Sequence, residues 1–160
     1  MKKILLLLLI SFIAKPDYTS VGFGVGTSGD VDTIAIGYEQ ADSKFRFATI
    51  AGRSEVFDVS IGVYSASLDY AFGNFNEGSF FAGLSYSRAA VGDIAESDTL
   101  LNVGYAKISG EGLDYSLIVD SDGDVGTSIT QWTEDGLGIG VGVAFTEYDE
   151  AITLTLQYQF

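Results

Sequence analysis

The sequence contains no cysteine and no histidine. The first absence excludes disulfides, acylation at a lipoprotein cysteine and thiolate chemistry. The second removes the usual general base and the commonest metal ligand. Ser and Asp residues are plentiful, but none has a base beside it to activate a nucleophile, so the chain reads as a non-enzyme without a cofactor. Basic residues are scarce: 8 Lys and Arg stand against 22 Asp and Glu, for a formal net charge of −14. Nucleic acid is therefore excluded as a partner, since its phosphates must be neutralised by Lys and Arg. The single proline is Pro16, so nothing beyond it interrupts a strand ladder. Long apolar runs are lacking too. The one continuous stretch, Ile4 to Ala14, is broken only by Ser11 and is too short to cross a bilayer as a helix, which takes about twenty residues.

That stretch follows Lys2 and Lys3 and is stopped by Lys15-Pro16-Asp17. A charged n-region followed by a short h-region is the pattern of a secretory signal. Residues 1–14 are expected to be that signal, although Phe12 is large for the position three residues before a cut after Ala14. Residues 15–160 are expected to form one domain.

Elsewhere the pattern has a period of two. Runs of alternating apolar and polar or small residues are separated by polar, Gly-rich clusters, the signature of consecutive hairpins. Strands are expected near Tyr18 to Thr27, Val31 to Ala41, Lys44 to Ala51, Val56 to Phe72, Ser79 to Arg88, Thr99 to Ile108, Leu113 to Asp120, Gly126 to Thr133, Leu137 to Thr146 and Ala151 to Phe160. The fourth changes phase near Tyr64 to Ser67, where Val59, Ile61 and Val63 give way to Leu68, Tyr70 and Phe72, and a bulge there would restore the pattern. The fold class is all-β, with eight or ten strands open at this point.

The two faces of these strands differ in kind. One carries Val21, Phe23, Ile34, Ile36, Phe45, Phe57, Ile61, Phe80, Leu101, Val103, Leu117, Ile139, Val141 and Leu156. The other carries Gly22, Gly24, Gly26, Ala35, Gly37, Ser60, Gly62, Gly83, Ser85, Gly104, Ser116, Gly138, Gly140, Gly142, Thr153 and Thr155. A filled small barrel holds roughly twelve interior side chains, so the large apolar set cannot all go inside. Apolar outside and small or polar inside is the arrangement of an up-and-down transmembrane barrel. A two-layer sandwich is the soluble fold able to bury as many.

The chain finishes Ala151-Ile152-Thr153-Leu154-Thr155-Leu156-Gln157-Tyr158-Gln159-Phe160, a strict alternation of about the length that spans a membrane as a tilted strand. Through Leu154, Leu156, Tyr158 and Phe160 it resembles the small bacterial outer-membrane β-barrel proteins, eight- to ten-stranded and porin-like, which end in such a strand with a terminal Phe. The resemblance implies an antiparallel transmembrane barrel in the outer membrane, reached through the secretory pathway. Its implied partners are outer-membrane lipid, lipopolysaccharide and the barrel-assembly machinery, with Tyr158 and Phe160 as the assembly signal and a monomer as the final state.

With the C-terminus periplasmic, the turns near Ala41 to Ser43, Gly73 to Gly78, Ser109 to Gly112 and Glu134 to Gly136 are periplasmic as well. Tyr38, Phe45, Phe47, Tyr70, Phe72, Phe80, Tyr105, Tyr115 and Trp132 stand beside them as an interfacial girdle would. The connections near Ser28 to Asp30, Gly52 to Glu55, Gly92 to Asp98, Asp120 to Asp124 and Glu147 to Glu150 are then extracellular and acidic. Among them Asp120, Asp122 and Asp124 are weak candidates for a hard cation, but an EF-hand would need Gly and Glu where Val125 and Gln131 stand. The inward phase is expected to hold Glu39, Arg46, Asp58, Asp69 and Asp114, with Glu39 and Arg46 paired across their turn and no cation evident for the other three. Tyr64 and Phe81 are expected to help fill the lumen. Two functions stay open: a structural or interaction platform with acidic extracellular loops, or a small cation-preferring diffusion channel.

Overall fold

The structure, a computed structural model, describes residues 16–56, 59–146 and 149–160. The expected export segment 1–14, Phe57 and the expected lumen charge Asp58 lie outside them. Ten strands follow in order: β1 (Tyr18–Ser28), β2 (Val31–Ala41), β3 (Phe45–Val56), β4 (Val59–Ala71), β5 (Ser79–Val91), β6 (Ile94–Lys107), β7 (Leu113–Asp120), β8 (Val125–Trp132), β9 (Leu137–Phe145) and β10 (Glu150–Gln159). Each pairs antiparallel with its sequence neighbours, and β1 pairs with β10 to close the barrel. Ser20 lies opposite Gln159, so both ends of the sheet share one rim, here the lower rim, with the connections after β2, β4, β6 and β8. The opposite ends of the strands form the upper rim.

Alternation along the strands sets the two faces. Ile34 and Ile36 are exposed while Ala35 between them and Gly37 after them are half-buried, and the same alternation runs through Val21, Phe23 and Val25 on β1 and Leu137, Ile139 and Val141 on β9. Cross-strand partners share a face, so the register carries the assignment around the wall: Phe23 sits between Leu156 and Ile36, and Gly24 between Thr155 and Ala35.

The register also corrects several expectations. Pairing of β4 with β3 and with β5 runs without a skip through Tyr64 to Ser67, so no bulge is present. The phase fixed by Asp69 therefore continues upward. Ile61 lies opposite Ser54 on the inward phase, and Ser60 and Gly62 take the outward one. Tyr64, opposite Ala51 and Arg88, is on the outward phase with Tyr70 and Leu84 rather than in the lumen. The apolar pattern near this rim does not govern the register because Arg53 and Glu55 already occupy the outward phase of β3 there, above the level where that face must be apolar. Strand β3 runs through 52–55 and β6 begins at Ile94, so residues 52–55 and 94–98, expected within loops, are paired backbone, and only Gly92 and Asp93 turn the chain there.

Aromatic side chains do gather at the lower rim. Phe45 lies 5.3 Å from Tyr70, Tyr70 lies 6.0 Å from Phe72, Phe80 lies 5.1 Å from Tyr105 and Tyr105 lies 6.2 Å from Tyr115 by ring centroids. Two expected members are absent from this exposed ring. Phe47 is covered at 1 % exposure, and Trp132 is inside the barrel.

Candidate lumen site

Three of the expected inward charges meet near the lower end. Glu39 on β2, Arg46 on β3 and Asp69 on β4 come together because Arg46 faces Ala41 on one side and Asp69 on the other. Arg46 Nε donates to Glu39 Oε1 at 2.6 Å, and its Nη1 lies 3.5 Å from Asp69 Oδ2. The expected Glu39–Arg46 pair is thus present. Asp69, expected without a cation, shares Arg46 and is 2 % exposed. Its neighbour across the wall is Gly83, and a Cβ there would run into Asp69 Oδ1 and the Leu68 carbonyl. The missing side chain at position 83 is what lets the carboxylate lie flat against the wall.

Asp114 on β7 is satisfied by a different set of donors. It accepts from the Ser109 N–H at 2.9 Å, the Ser109 hydroxyl at 2.8 Å, the Gly110 N–H at 2.8 Å and Trp132 Nε1 at 2.8 Å. This carboxylate ties the turn after β6 to the end of β8, and its oxygens are committed to that task rather than to passing ions. Trp132 enters the lumen because Gly138, its partner on β9, presents no side chain; a Cβ at 138 would press into the indole at 2.7 Å.

Below the charged layer lies a hydrophobic floor. Tyr18, Ala41, Ala71, Phe75, Phe81, Ala106, Ile108 and Trp132 form one buried cluster. Tyr18 meets Trp132 edge-on at 5.6 Å, and Phe75 lies 5.9 Å from Phe81. The expected contribution of Phe81 holds. Phe75 does not belong to a strand at all. The turn after β4 folds inward, its Phe75 N–H donating to the Ser43 carbonyl at 3.0 Å and its carbonyl accepting from the Ile108 N–H at 2.9 Å. The sequence marks 73–78 only as a polar turn. The available signal was one large apolar side chain in an otherwise polar Gly-Asn-Phe-Asn-Glu-Gly segment.

Above the floor is a cavity of about 350 Å³, lined by Gly22, Gly24, Ala35, Thr130, Thr155 and Gln157 among others, with Glu39, Arg46, Tyr18 and Trp132 at its base. Hydroxyls on the inner wall bond to one another across strands, Ser116 with Ser128 at 2.8 Å and Thr33 with Ser54 at 2.7 Å. The lumen is therefore a cup: polar walls above, a charged layer, then a greasy base.

At the upper rim Asp120 Oδ1 accepts the N–H groups of Asp122 and Asp124, both at 3.0 Å. The first carboxylate of the Asp120, Asp122 and Asp124 run is thus folded into its own turn. Among the described residues no group of three His, Cys, Asp or Glu is arranged to hold a metal ion. At the opposite rim Tyr158 and Phe160 point outward, 53 % and 70 % exposed, with the Phe160 N–H held by the Thr19 carbonyl at 3.0 Å.

No protein-family model matches the sequence, and no curated protein matches it. Solved structures are similar in fold at low identity. The N-terminal β-barrel domain of Pseudomonas aeruginosa OprF is 11 % identical with a TM-score of 0.46, over 91 % of this chain and 98 % of that one. A de novo designed transmembrane β-barrel is 10 % identical with a TM-score of 0.44, over 91 % and 98 %. Neisserial surface protein A is 14 % identical with a TM-score of 0.36, over 89 % and 94 %.

Proposed function

We propose that the chain is an integral outer-membrane β-barrel that acts as a non-catalytic structural or interaction platform presenting acidic loops at its extracellular rim. The observation that carries this reading is the outer face. Ile36 and Leu101 at 64 %, Ile139 at 62 % and Phe80 at 68 % exposure belong to a band of exposed apolar side chains carried by β1, β2 and β5 to β10. In water each such side chain would forgo about 1.5–3 kcal/mol of burial, a loss no small domain sustains many times over. Hydrocarbon removes that cost, and a closed ladder is the β arrangement that leaves no backbone group unsatisfied in it. The ring of exposed aromatics at the lower rim suits the headgroup level. Asp30, Asp93, Asp122 and Asp149 crowd the other rim, where their charge suits divalent cations shared with lipopolysaccharide phosphates.

The channel reading draws on the cavity and the acidic rim. Against it stands the floor, where Phe75, Phe81, Ile108, Tyr18 and Trp132 are buried together at the lower end of the lumen. Refolding into lipid vesicles, followed by single-channel recording in planar bilayers, tests both. A heat-modifiable, membrane-inserted form with small or absent conductance supports the platform. Failure to insert overturns the membrane assignment, and frequent stable openings favour the channel.

A further inference from the structure

The wall of the barrel is uneven at its upper rim. Pairing of β5 with β6 continues to Val91 opposite Ile94, whereas pairing of β6 with β7 stops at Asn102 opposite Asp120. Residues Ile94 to Leu101 are therefore laddered on one side only. Over this stretch β6 is a strand edge, long enough at about 3.3 Å per residue to seat a further strand of ordinary length.

One contact fixes which backbone groups face the open side. The Leu101 N–H donates to Ser121 Oγ at 3.3 Å, and Ser121 lies just past the end of β7. By the period of two, Thr99, Ser97 and Ala95 turn their N–H and C=O groups the same way. The edge also stands clear of lipid. Leu84 and Leu101, opposite each other, are the last large aliphatic pair on the outward phase of this hairpin. Above them come Tyr86 with Thr99, Arg88 with Ser97 and Ala90 with Ala95.

Exposed edges are usually blunted by proline, by charged side chains, lysine above all, or by a bulge. This one has no proline and no lysine, and its register with β5 is unbroken. It does have a directional charge: Glu96 and Asp98 lie on one phase, small Ala95, Ser97 and Thr99 on the other, and Val91 and Ile94 are exposed at the tip.

We propose that this edge is a docking site for an extended segment of a partner protein, added as an extra strand, with Lys or Arg at alternate positions facing Glu96 and Asp98. Backbone bonds to residues 95, 97 and 99 hold the strand, and the two carboxylates select its charge and phase. A second copy of this chain is the poorer occupant, because it brings the same two carboxylates to the seam. The inference rests on the reading of this rim as the water-exposed end of a membrane barrel, and its test separates the two.

The full chain is refolded into lipid nanodiscs, and heat-modifiable mobility reports the barrel. Titration with a fluorescent ten-residue peptide alternating Lys with Thr and Val reads the edge. Saturable binding is expected. Ser97→Pro, which removes an N–H facing the open side and leaves the ladder to β5 intact, should weaken it at least tenfold, as should Thr99→Pro if the first variant refolds poorly. Glu96→Lys with Asp98→Lys should reverse the preference toward a peptide alternating Glu with Thr and Val. A folded barrel that does not bind the peptide overturns the docking site while leaving the membrane reading intact. Equal binding by both proline variants reduces the effect to general attraction by an acidic rim and also overturns it. Efficient disulfide dimers of Ser97→Cys protein reconstituted in vesicles would assign the edge to a second copy instead.

Discussion

Trp132 Nε1 donates a 2.8 Å hydrogen bond to Asp114 Oδ2 within the lower end of the barrel, and the same carboxylate also holds the Ser109 and Gly110 N–H groups. A charged acceptor with several donors in a buried place is costly to disturb, because each donor loses its partner at once. Asp114→Ala strands three N–H donors and is expected to destabilise the folded barrel by more than the about 1–3 kcal/mol of one unsatisfied group, and Trp132→Phe by about 1.5–3 kcal/mol, the range for one bond to a charged group. Urea titration in liposomes, scored by gel mobility, ranks the two. A smaller loss for Asp114→Ala than for Trp132→Phe would mean that the carboxylate does not organise the turn.

Neighbouring residues on β2 test which face meets lipid. Ile36→Arg places a charge in the outward band and should cost about 2–4 kcal/mol in lipid. Gly37→Ala adds a methyl on the lumen side, where the nearest atoms would be the Thr49 carbonyl at 3.6 Å and Ile50 Cγ1 at 3.7 Å, ordinary contact distances, so its effect should be slight. Comparable losses for the two variants would remove the distinction between the faces.

Opening the floor should turn the cup into a pore. Phe75→Ala combined with Ile108→Ala removes two of the five large side chains of the plug, while the Phe75 backbone bonds to Ser43 and Ile108 remain. Bilayer recordings are expected to show conductance in the double variant well above that of the parent. Because Glu39 and Asp69 outnumber Arg46 at the constriction, the current should prefer cations. An anion-selective or unaltered current would show that the plug lies elsewhere.

Deleting Phe160 probes the exposed terminal aromatic. Its ring is free of the barrel's interior, so refolding into detergent should change little, while the amount of folded protein reaching the outer membrane should fall. Immunoblots of membrane fractions with and without heating report the difference. Equal levels would make Phe160 an ordinary strand end.

The strands and their faces were legible because period-two alternation is a direct record of a wall with unlike surroundings on its two sides. β2 and β7 run over the expected residues, Val31–Ala41 and Leu113–Asp120. The Glu39–Arg46 pair was legible for a similar reason, both lying a few residues from one tight turn on the same phase. What escaped was set by the register between neighbouring strands. Asp69 joins Arg46 through a register the sequence does not display, and Trp132 turns inward because Gly138 across the ladder leaves a space for its ring. Phe75 escaped because turn residues obey no periodicity. At the upper rim alternation misled instead: Ile61 and Tyr64 stand where neither face needs to be apolar, so hydrophobicity there carries no information about direction.

Nine of the ten strand interfaces join segments adjacent in sequence, and a single seam, β1 against β10, joins segments from opposite ends of the sheet. Local hairpins close small loops at little entropic cost, whereas the seam must close the largest loop the barrel contains. Assembly of this wall can thus proceed hairpin by hairpin as an open, curling sheet, with its last mating deferred until both terminal strands are present. Until then the N–H and C=O edges of β1 and β10 stay unpaired, and the interval before they meet is when the chain is most exposed to pairing with the wrong neighbour.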